Sequence, residues 1–381
     1  MHDVIVVGAG PAGSSAARSC AKSGLKALLI DQAEFPRYKL CGGGITEAAR
    51  RLLGFTIPKE IAEREARGMR FIHANSSLEF KSSRRVVTMV MRDAFDNFLA
   101  EKAVDAGAEF AQGERALRVK KGSNCIEVAT SKGVRRARCA IGADGMNSVL
   151  ASSVRPPFHR SEIGVTVGAE IPAKEKEIDR EFGDMVEIET GMLGLGYGWI
   201  FPKRRTLSFG YGAYLDNSAG VRGALINYLG RHGFRSGYKI TGHMIPVGGI
   251  MKKCWGDRIL LAGDAAGFAD PFHGEGIRYA LRSGQIASEV LATALEDGDL
   301  SEKSLSRYGA RCYDEFGREL KWARRLARVV YRDFGLFFYL AKKNPIVLEN
   351  YCKTIFGELG YKEFFLWSAP RFPLFALRSI V

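Results

Sequence analysis

The sequence predicts an α/β fold in which a parallel sheet flanked by helices is interleaved with an antiparallel-sheet α+β domain and followed by a helical C-terminal region. Three observations carry this: a strand, glycine turn, helix and strand in succession at the start, a buried strand and long helix near residue 260, and an alternating stretch between them.

Residues 4–7 form an apolar, β-branched run ending at Gly8, residues 14–23 a small-residue helix stopping at Gly24, and residues 27–30 a second buried strand. Ile45 onward turns helical and fades near Gly54. Residues 69–72 and 86–91 read as strands, and residues 92–106 as a helix with Phe95, Phe98, Leu99 and Ala103 on one stripe. Short strands and turns follow from 108 to 143. Residues 160–250 alternate as an antiparallel sheet does, with one helix expected near 219–228. Residues 259–262 are another buried strand and 276–295 a long helix, so the first domain resumes late in the chain. The expected division is residues 1–70, 92–160 and 250–300 for the parallel-sheet domain, 71–91 and 161–249 for the second sheet, and 301–381 for the helical region.

With 381 residues and 46% hydrophobic content, the chain can bury the core of two joined domains. Residues 1–3 run straight into the first strand, leaving no room for a signal peptide, and no apolar run is long enough to span a bilayer. The seven cysteines are scattered without CxxC pairs or metal-ligand spacing, which predicts a reducing compartment and no metal. We therefore expect a cytoplasmic protein. The net charge of +14 predicts attraction to something anionic. No nucleic-acid-binding motif accompanies it, so nucleic acid is not the expected partner.

Gly8-Ala9-Gly10-Pro11-Ala12-Gly13 lies between the first strand and helix, where backbone N–H groups and the positive helix end meet a pyrophosphate in a Rossmann-type domain. Gly8, Gly10, Pro11, Ala12 and Gly13 are thus candidate cofactor-binding residues. Asp31, ending the second strand, is placed to accept hydrogen bonds from ribose hydroxyls. Later, an apolar strand delivers Asp264 at a glycine turn, where a carboxylate can bind a ribityl hydroxyl, and NAD has no ribityl chain. Gly274-Glu275-Gly276-Ile277 opens the long helix, whose positive end suits negative charge on a reduced flavin. Together these halves point to FAD.

These residues, with Gly142-Ala143-Asp144-Gly145, resemble the p-hydroxybenzoate-hydroxylase-like flavoproteins over about residues 1–295. Two further segments, Pro36-Arg37-Tyr38-Lys39-Leu40-Cys41-Gly42-Gly43-Gly44-Ile45 and Tyr197-Gly198-Trp199-Ile200-Phe201-Pro202, resemble the geranylgeranyl reductases, which saturate isoprenoid double bonds in archaeal lipids, chlorophyll precursors and quinone tails. The resemblance implies that Cys41, Gly42 and Gly43 run beside the isoalloxazine, with Cys41 near the reacting face as a catalytic candidate. It also implies that Tyr197, Trp199 and Phe201 line an apolar substrate cavity, and that Arg37 and Arg92 lie near the pyrophosphate or ribityl side. His273, beside the expected flavin, is a candidate proton donor. Read without the resemblance, Cys41 is also consistent with a buried free thiol, the aromatics with plain core, Arg37 and Arg92 with surface charges, and His273 with a structural histidine.

The implied activity is hydride transfer from reduced FAD to an isolated C=C bond of a polyprenyl chain, coupled to protonation. One dinucleotide fingerprint and no second βαβ unit leave NADPH and reduced ferredoxin both open as electron donor. The positive charge suits an acidic ferredoxin. The basic, aromatic C-terminal region, with Arg324, Arg325 and Arg328 near Phe334, Phe337 and Phe338, suggests peripheral attachment to the inner face of the cell membrane, or a basic helix packed on the core. The alternatives are a flavin monooxygenase or halogenase on the same fold and a non-catalytic prenyl-binding escort protein.

Overall fold

The computed structural model describes residues 1–122, 124–249 and 252–372. Strands His2–Val7, Ala27–Ile30, Glu109–Ala111, Gly133–Gly142 and Ile259–Leu261 form the parallel part of an eight-stranded sheet, ordered Ile259, Gly133, His2, Ala27, Glu109, with the antiparallel strand Trp255–Gly256 outside Ile259–Leu261. Val4, Ile5, Val6, Leu29, Ile30, Ala140 and Ile141 are fully buried in it, in one apolar core shared with helices Pro11–Lys22 and Ile277–Glu296 and with strand Ile126–Thr130. Helices Pro11–Lys22 and Ile277–Glu296 pack backbone to backbone: a Cβ on Gly284 would lie 2.3 Å from the Ala12 carbonyl oxygen. The end and the beginning of the nucleotide-binding unit, some 270 residues apart in sequence, are thereby one layer.

Strands Thr241–Pro246, Ile163–Pro172, Thr206–Tyr214, Gly196–Pro202, Met185–Thr190, Gly68–His73 and Ser76–Lys81 make the second sheet in that order. Neighbours are antiparallel except Met185–Thr190 and Gly68–His73, which run parallel. The antiparallel expectation missed this pair because its strands are contributed by segments more than a hundred residues apart. A helix at Glu175–Phe182, burying Ile178 and Phe182 one turn apart, was also not expected; the expected one lies at Val221–Arg231. Residues 71–91 divide between two sheets. Val87–Val90 pairs not with the large sheet but with Gly44–Thr46 and Ala62–Ala66, a pairing continued by the Val90 N–H donating to the Gly43 carbonyl.

Strand Gly196–Pro202 separates two apolar layers. Ile200 joins Phe209, Tyr211, Leu225 and Tyr228 on the face covered by helix Val221–Arg231. On the other face Phe201 packs into a cluster with Met69, Phe71, Val87, Phe272 and the C-terminal helices. Those helices are Glu302–Cys312, Arg318–Val330, Phe334–Lys343, Pro345–Phe356 and Tyr361–Ser368; residues 373–381 of the expected helical region lie outside the described residues. No helix among the described residues is long and apolar enough to cross a membrane.

Candidate active site

The first strand ends at Gly8, whose φ of +98° and close approach to Ala143 exclude a side chain: a Cβ would stand 2.5 Å from the Ala143 carbonyl oxygen. Gly13 lies against the Gly8 carbonyl, again with no room for a Cβ. Helix Pro11–Lys22 starts at Gly10 with no side-chain cap, so its first N–H groups and its dipole are available to an anion. Arg37 lies over this turn, its Nη2 3.8 Å from the Cβ position of Gly10. Its guanidinium stacks on Phe35 and pairs with Asp96 at 3.1 Å, while Nη1 is buried with no partner in the protein.

Asp96 also receives two hydrogen bonds of 2.8 Å from Arg92, one helical turn away, and is fully buried. Burial alone lowers the Arg92 pKa, but Asp96 and the neighbouring Cys41 sulfur outweigh it and hold the guanidinium charged. The Asp31 carboxylate sits at the strand end, accepting from the Ala9 and Ala33 N–H groups at 2.7 and 2.9 Å. Each oxygen retains acceptor capacity for a hydroxyl.

At the other end of the cleft, Gly263 at φ +57° brings its chain to 2.9 Å, measured from its Cβ position, of the Ala12 side chain. Asp264 follows. Burial raises its carboxyl pKa, opposed by Lys39 and Arg92, and the Gly276 Cβ position is 3.9 Å from its Oδ1. The loop from Asp270 to Gly276 is held on every side. Asp270 accepts from the Phe272 and His273 N–H groups and from the hydroxyls of Tyr279 and Tyr361. Tyr197 donates to the His273 carbonyl at 2.9 Å and Tyr331 to the Phe272 carbonyl at 2.5 Å. The loop then enters helix Ile277–Glu296, which also lacks a side-chain cap.

Two side chains of this loop are engaged within the protein. The His273 ring packs among Phe272, Tyr351 and Tyr361, with Nε2 2.8 Å from the Thr354 hydroxyl and burial pushing its pKa down to about 4. It is neutral near pH 7 and turned to the C-terminal helices, so it has a structural position rather than that of the expected proton donor. The Glu275 carboxyl is likewise engaged elsewhere, accepting from the Thr46 hydroxyl at 2.5 Å; burial raises it to about 7. Backbone of this turn, rather than the Glu275 side chain, would meet a flavin, as the positive helix end suggested.

Cys41 is half-buried; its sulfur accepts the Gly43 N–H at 3.4 Å. The glycines beside it are sterically required. A Cβ on Gly42 would lie 2.5 Å from the Phe201 ring and 3.2 Å from Trp199 Nε1, and one on Gly43 2.1 Å from the Val90 carbonyl oxygen. Gly210 in turn leaves space for the Trp199 ring to lie across its neighbouring strand. Trp199 Nε1 is buried without a partner, and Tyr197 stacks on Tyr331 with ring centres 6.3 Å apart. The two segments singled out in sequence are thus packed against one another.

Glycine turns without side chains, an unpartnered buried guanidinium nitrogen and a second turn carrying Asp264 fit FAD. Gly8–Gly13 and Arg37 would hold its pyrophosphate, Asp31 its ribose, Asp264 its ribityl chain, and the 270–276 loop its pyrimidine edge. Residues 1–179 match the family described as FAD binding domain. Digeranylgeranylglycerophospholipid reductase 2 of Methanopyrus kandleri is 32% identical over 347 residues, covering 86% of each chain. The chain belongs to the geranylgeranyl reductase family of FAD-dependent oxidoreductases. Another relative, menaquinone reductase of Mycobacterium tuberculosis, is 31% identical over 91% of this chain and 88% of its own. In fold, the chain is similar to a geranylgeranyl bacteriochlorophyll reductase-like protein of Thermoplasma acidophilum, with TM-score 0.78, 24% identity and 87% of each chain covered.

Sequence reading missed several groups of this reductase-family site. Asp96, shared by Arg37 and Arg92, was signalled only by its i,i+4 spacing from Arg92. Lys39 pairs with His243, which burial, Lys39 and Arg92 hold down to about 4. Two hundred residues separate them, and no local pattern announces the contact. Asp270 and its tyrosines were invisible for the same reason.

Proposed function

We propose that this protein saturates isolated C=C bonds of a geranylgeranyl or related polyprenyl chain carried by an archaeal-type lipid, a quinone or a chlorophyll precursor. The observation that carries the reading is the packing of Trp199 and Phe201 against Gly42, next to Cys41. It sets an aromatic, water-poor wall opposite a glycine segment that a flat ring can approach. Bound FAD, once reduced, supplies the hydride.

An isolated alkene has no heteroatom to take up charge, so hydride arriving at one carbon must be matched by a proton at the other. Cys41 is the candidate to hold that proton. Arg92, fixed by Asp96, orients the Cys41 end of the segment. Tyr197, Trp199 and Phe201 exclude water and hold the apolar chain. The 270–276 loop is kept rigid by the hydroxyls of Tyr197, Tyr331 and Tyr361.

Two further parts of the reading concern supply. Electrons come from NADPH or reduced ferredoxin, the latter favoured by the +14 charge. The substrate comes from an anionic bilayer, met by a surface on which Arg325 stacks over Trp322, Arg371 over Trp367, and Val329 and Leu366 are exposed. Sedimentation with anionic vesicles that falls with salt, and is absent with neutral ones, is the expected result for that surface.

The decisive experiment is anaerobic. The holoenzyme is reduced with dithionite and mixed with geranylgeranyl lipid in detergent, and flavin reoxidation is followed with product mass. Reoxidation with gain of hydrogen pairs is expected. A flavin that stays reduced until oxygen is admitted would overturn the reading in favour of a monooxygenase.

A further inference from the structure

Phe201, Ser208 and Glu170 stand side by side on three adjacent strands, since Phe201 pairs with Ser208 and Ser208 with Glu170 in the sheet register. Two residues back on the same face, the neighbouring row is Trp199, Gly210 and Gly168. The first row breaks the apolar character of this face, because its aromatic ring is followed by a hydroxyl and a carboxylate. The Lys203 side chain, only 1% exposed, folds onto Glu170, its ammonium 3.1 and 3.2 Å from the two carboxylate oxygens. The buried Ser208 hydroxyl donates to the same carboxylate at 2.8 Å.

This cluster lies under the glycine segment. The Leu40 side chain fills the space left by Gly168, 2.7 Å from its Cβ position, and Gly42 rests on the Phe201 ring. Lys203 Cε is 3.5 Å from the Gly43 Cβ position, and the Cys41 carbonyl oxygen is 3.5 Å from the Ser208 hydroxyl. Residues 40–43 therefore cross the sheet on apolar contacts at Leu40 and Gly42 and on a polar support under Cys41 and Gly43. Desolvation of an ammonium and a carboxylate offsets most of their mutual attraction, so the pair adds little stability over apolar side chains of similar size. What it adds is direction: charge-assisted hydrogen bonds fix their partners in one geometry, whereas apolar contacts let a glycine segment slide.

We propose that Lys203, Glu170 and Ser208 are positioning residues for the reduction, an ionic brace that fixes the height of the Cys41–Gly43 backbone above the sheet and with it the reach of the Cys41 thiol. The proposal rests on the prenyl-reductase reading and deepens it by naming what sets the Cys41 geometry. The brace acts through Cys41. Lys203 and Glu170 together carry no net charge, so replacing both by neutral side chains changes the support and leaves the summed charge beside Cys41 as it was.

The test uses the holoenzyme, the double variant Lys203→Met/Glu170→Gln and the single variant Ser208→Ala. With both charges removed together, the Tm of the double variant is expected to stay close to that of the unsubstituted enzyme. Its limiting rate of flavin reoxidation by geranylgeranyl lipid is expected to fall about tenfold, with the half-saturating lipid concentration unchanged because Trp199 and Phe201 still hold the chain. Alkylation of Cys41 by N-ethylmaleimide, located by peptide mass, is expected to quicken several-fold as the segment loosens. Ser208→Ala should shift both rates in the same directions by about threefold, and it decides alone if the double variant does not fold. Unchanged reoxidation and alkylation rates in a folded variant overturn the brace and leave the cluster a packing feature. If the unsubstituted enzyme does not reduce the lipid, the prenyl reading has failed; the alkylation rates still decide the brace, and equal rates overturn it.

Discussion

The Tyr197 hydroxyl donates to the His273 carbonyl oxygen at 2.9 Å, and the Cβ position of the next residue, Gly274, is 2.3 Å from that same hydroxyl oxygen. The aromatic strand is therefore bolted to the glycine turn that would face the cofactor, and burial raises the Tyr197 pKa so that the hydroxyl stays a donor. Tyr197→Phe is expected to lower stability by about 1 kcal/mol, the net worth of one hydrogen bond. It should also speed loss of FAD, read as flavin fluorescence appearing on dilution. Gly274→Ala, meeting both the hydroxyl and a φ of +68°, is expected to be the more severe change. Equal flavin retention in all three proteins would contradict the coupling.

Two part-buried groups in this turn titrate against each other. His273 is held down to about 4, so the unfolded chain binds its proton more tightly. Its contribution to stability is full above about 6.5 and is lost as pH falls toward 4. Glu275 is raised to about 7, so the fold favours its protonated form. Its contribution is full below about 4.5 and is lost as pH rises through 7. Between about 4.5 and 6.5 the slopes oppose. Glu275→Gln is therefore expected to leave a Tm that climbs more steeply with pH across this window, and His273→Gln one that falls. Thermal melts at half-unit steps check both signs, and parallel curves for the three proteins would remove these groups as the cause.

Local chemistry made part of this site legible. The Gly8–Gly13 turn, Asp31 and the glycines beside Cys41 announce themselves because a backbone that must touch something tolerates only certain residues, and those residues are contiguous. The alternation of Tyr197, Trp199 and Phe201 placed them on one face for the same reason. His273 stayed open between proton donor and structural histidine because a histidine near a flavin turn looks the same in sequence whether its ring faces cofactor or core. Its ring was decided by Thr354 and Tyr351, some eighty residues away. The parallel pairing of Gly68–His73 with Met185–Thr190 was equally a tertiary choice.

Asp96 pairs with two guanidinium groups at once, from Arg92 at 2.8 Å and Arg37 at 3.1 Å. Asp96→Asn leaves both cations short of a counter-charge in a buried place, a loss of about 3–5 kcal/mol. The variant is expected to purify with little flavin and a markedly lower Tm. Arg37→Lys keeps the charge but loses the planar stack on Phe35, so a fold of near-normal stability with FAD held about tenfold more weakly is expected. Absorbance ratios of flavin to protein and equilibrium titration of the apoprotein separate the two effects.

Cys41 has one sulfur between a backbone donor and the Arg92 guanidinium. Cys41→Ser retains an acceptor for the Gly43 N–H while replacing the thiol by a far weaker acid, and Cys41→Ala removes both. If Cys41 delivers the proton, reoxidation of reduced flavin by the prenyl substrate should slow by about a hundredfold in both variants, the range for loss of one general acid. FAD content and Tm should be little changed, because the half-buried side chain fills small volume. A packing role predicts the reverse: serine close to the unsubstituted rate, alanine with lower flavin occupancy. The solvent deuterium isotope effect on single-turnover reoxidation separates the cases further, since proton delivery by the thiol makes it large in the unsubstituted enzyme, whereas a value near one there would remove Cys41 as the donor.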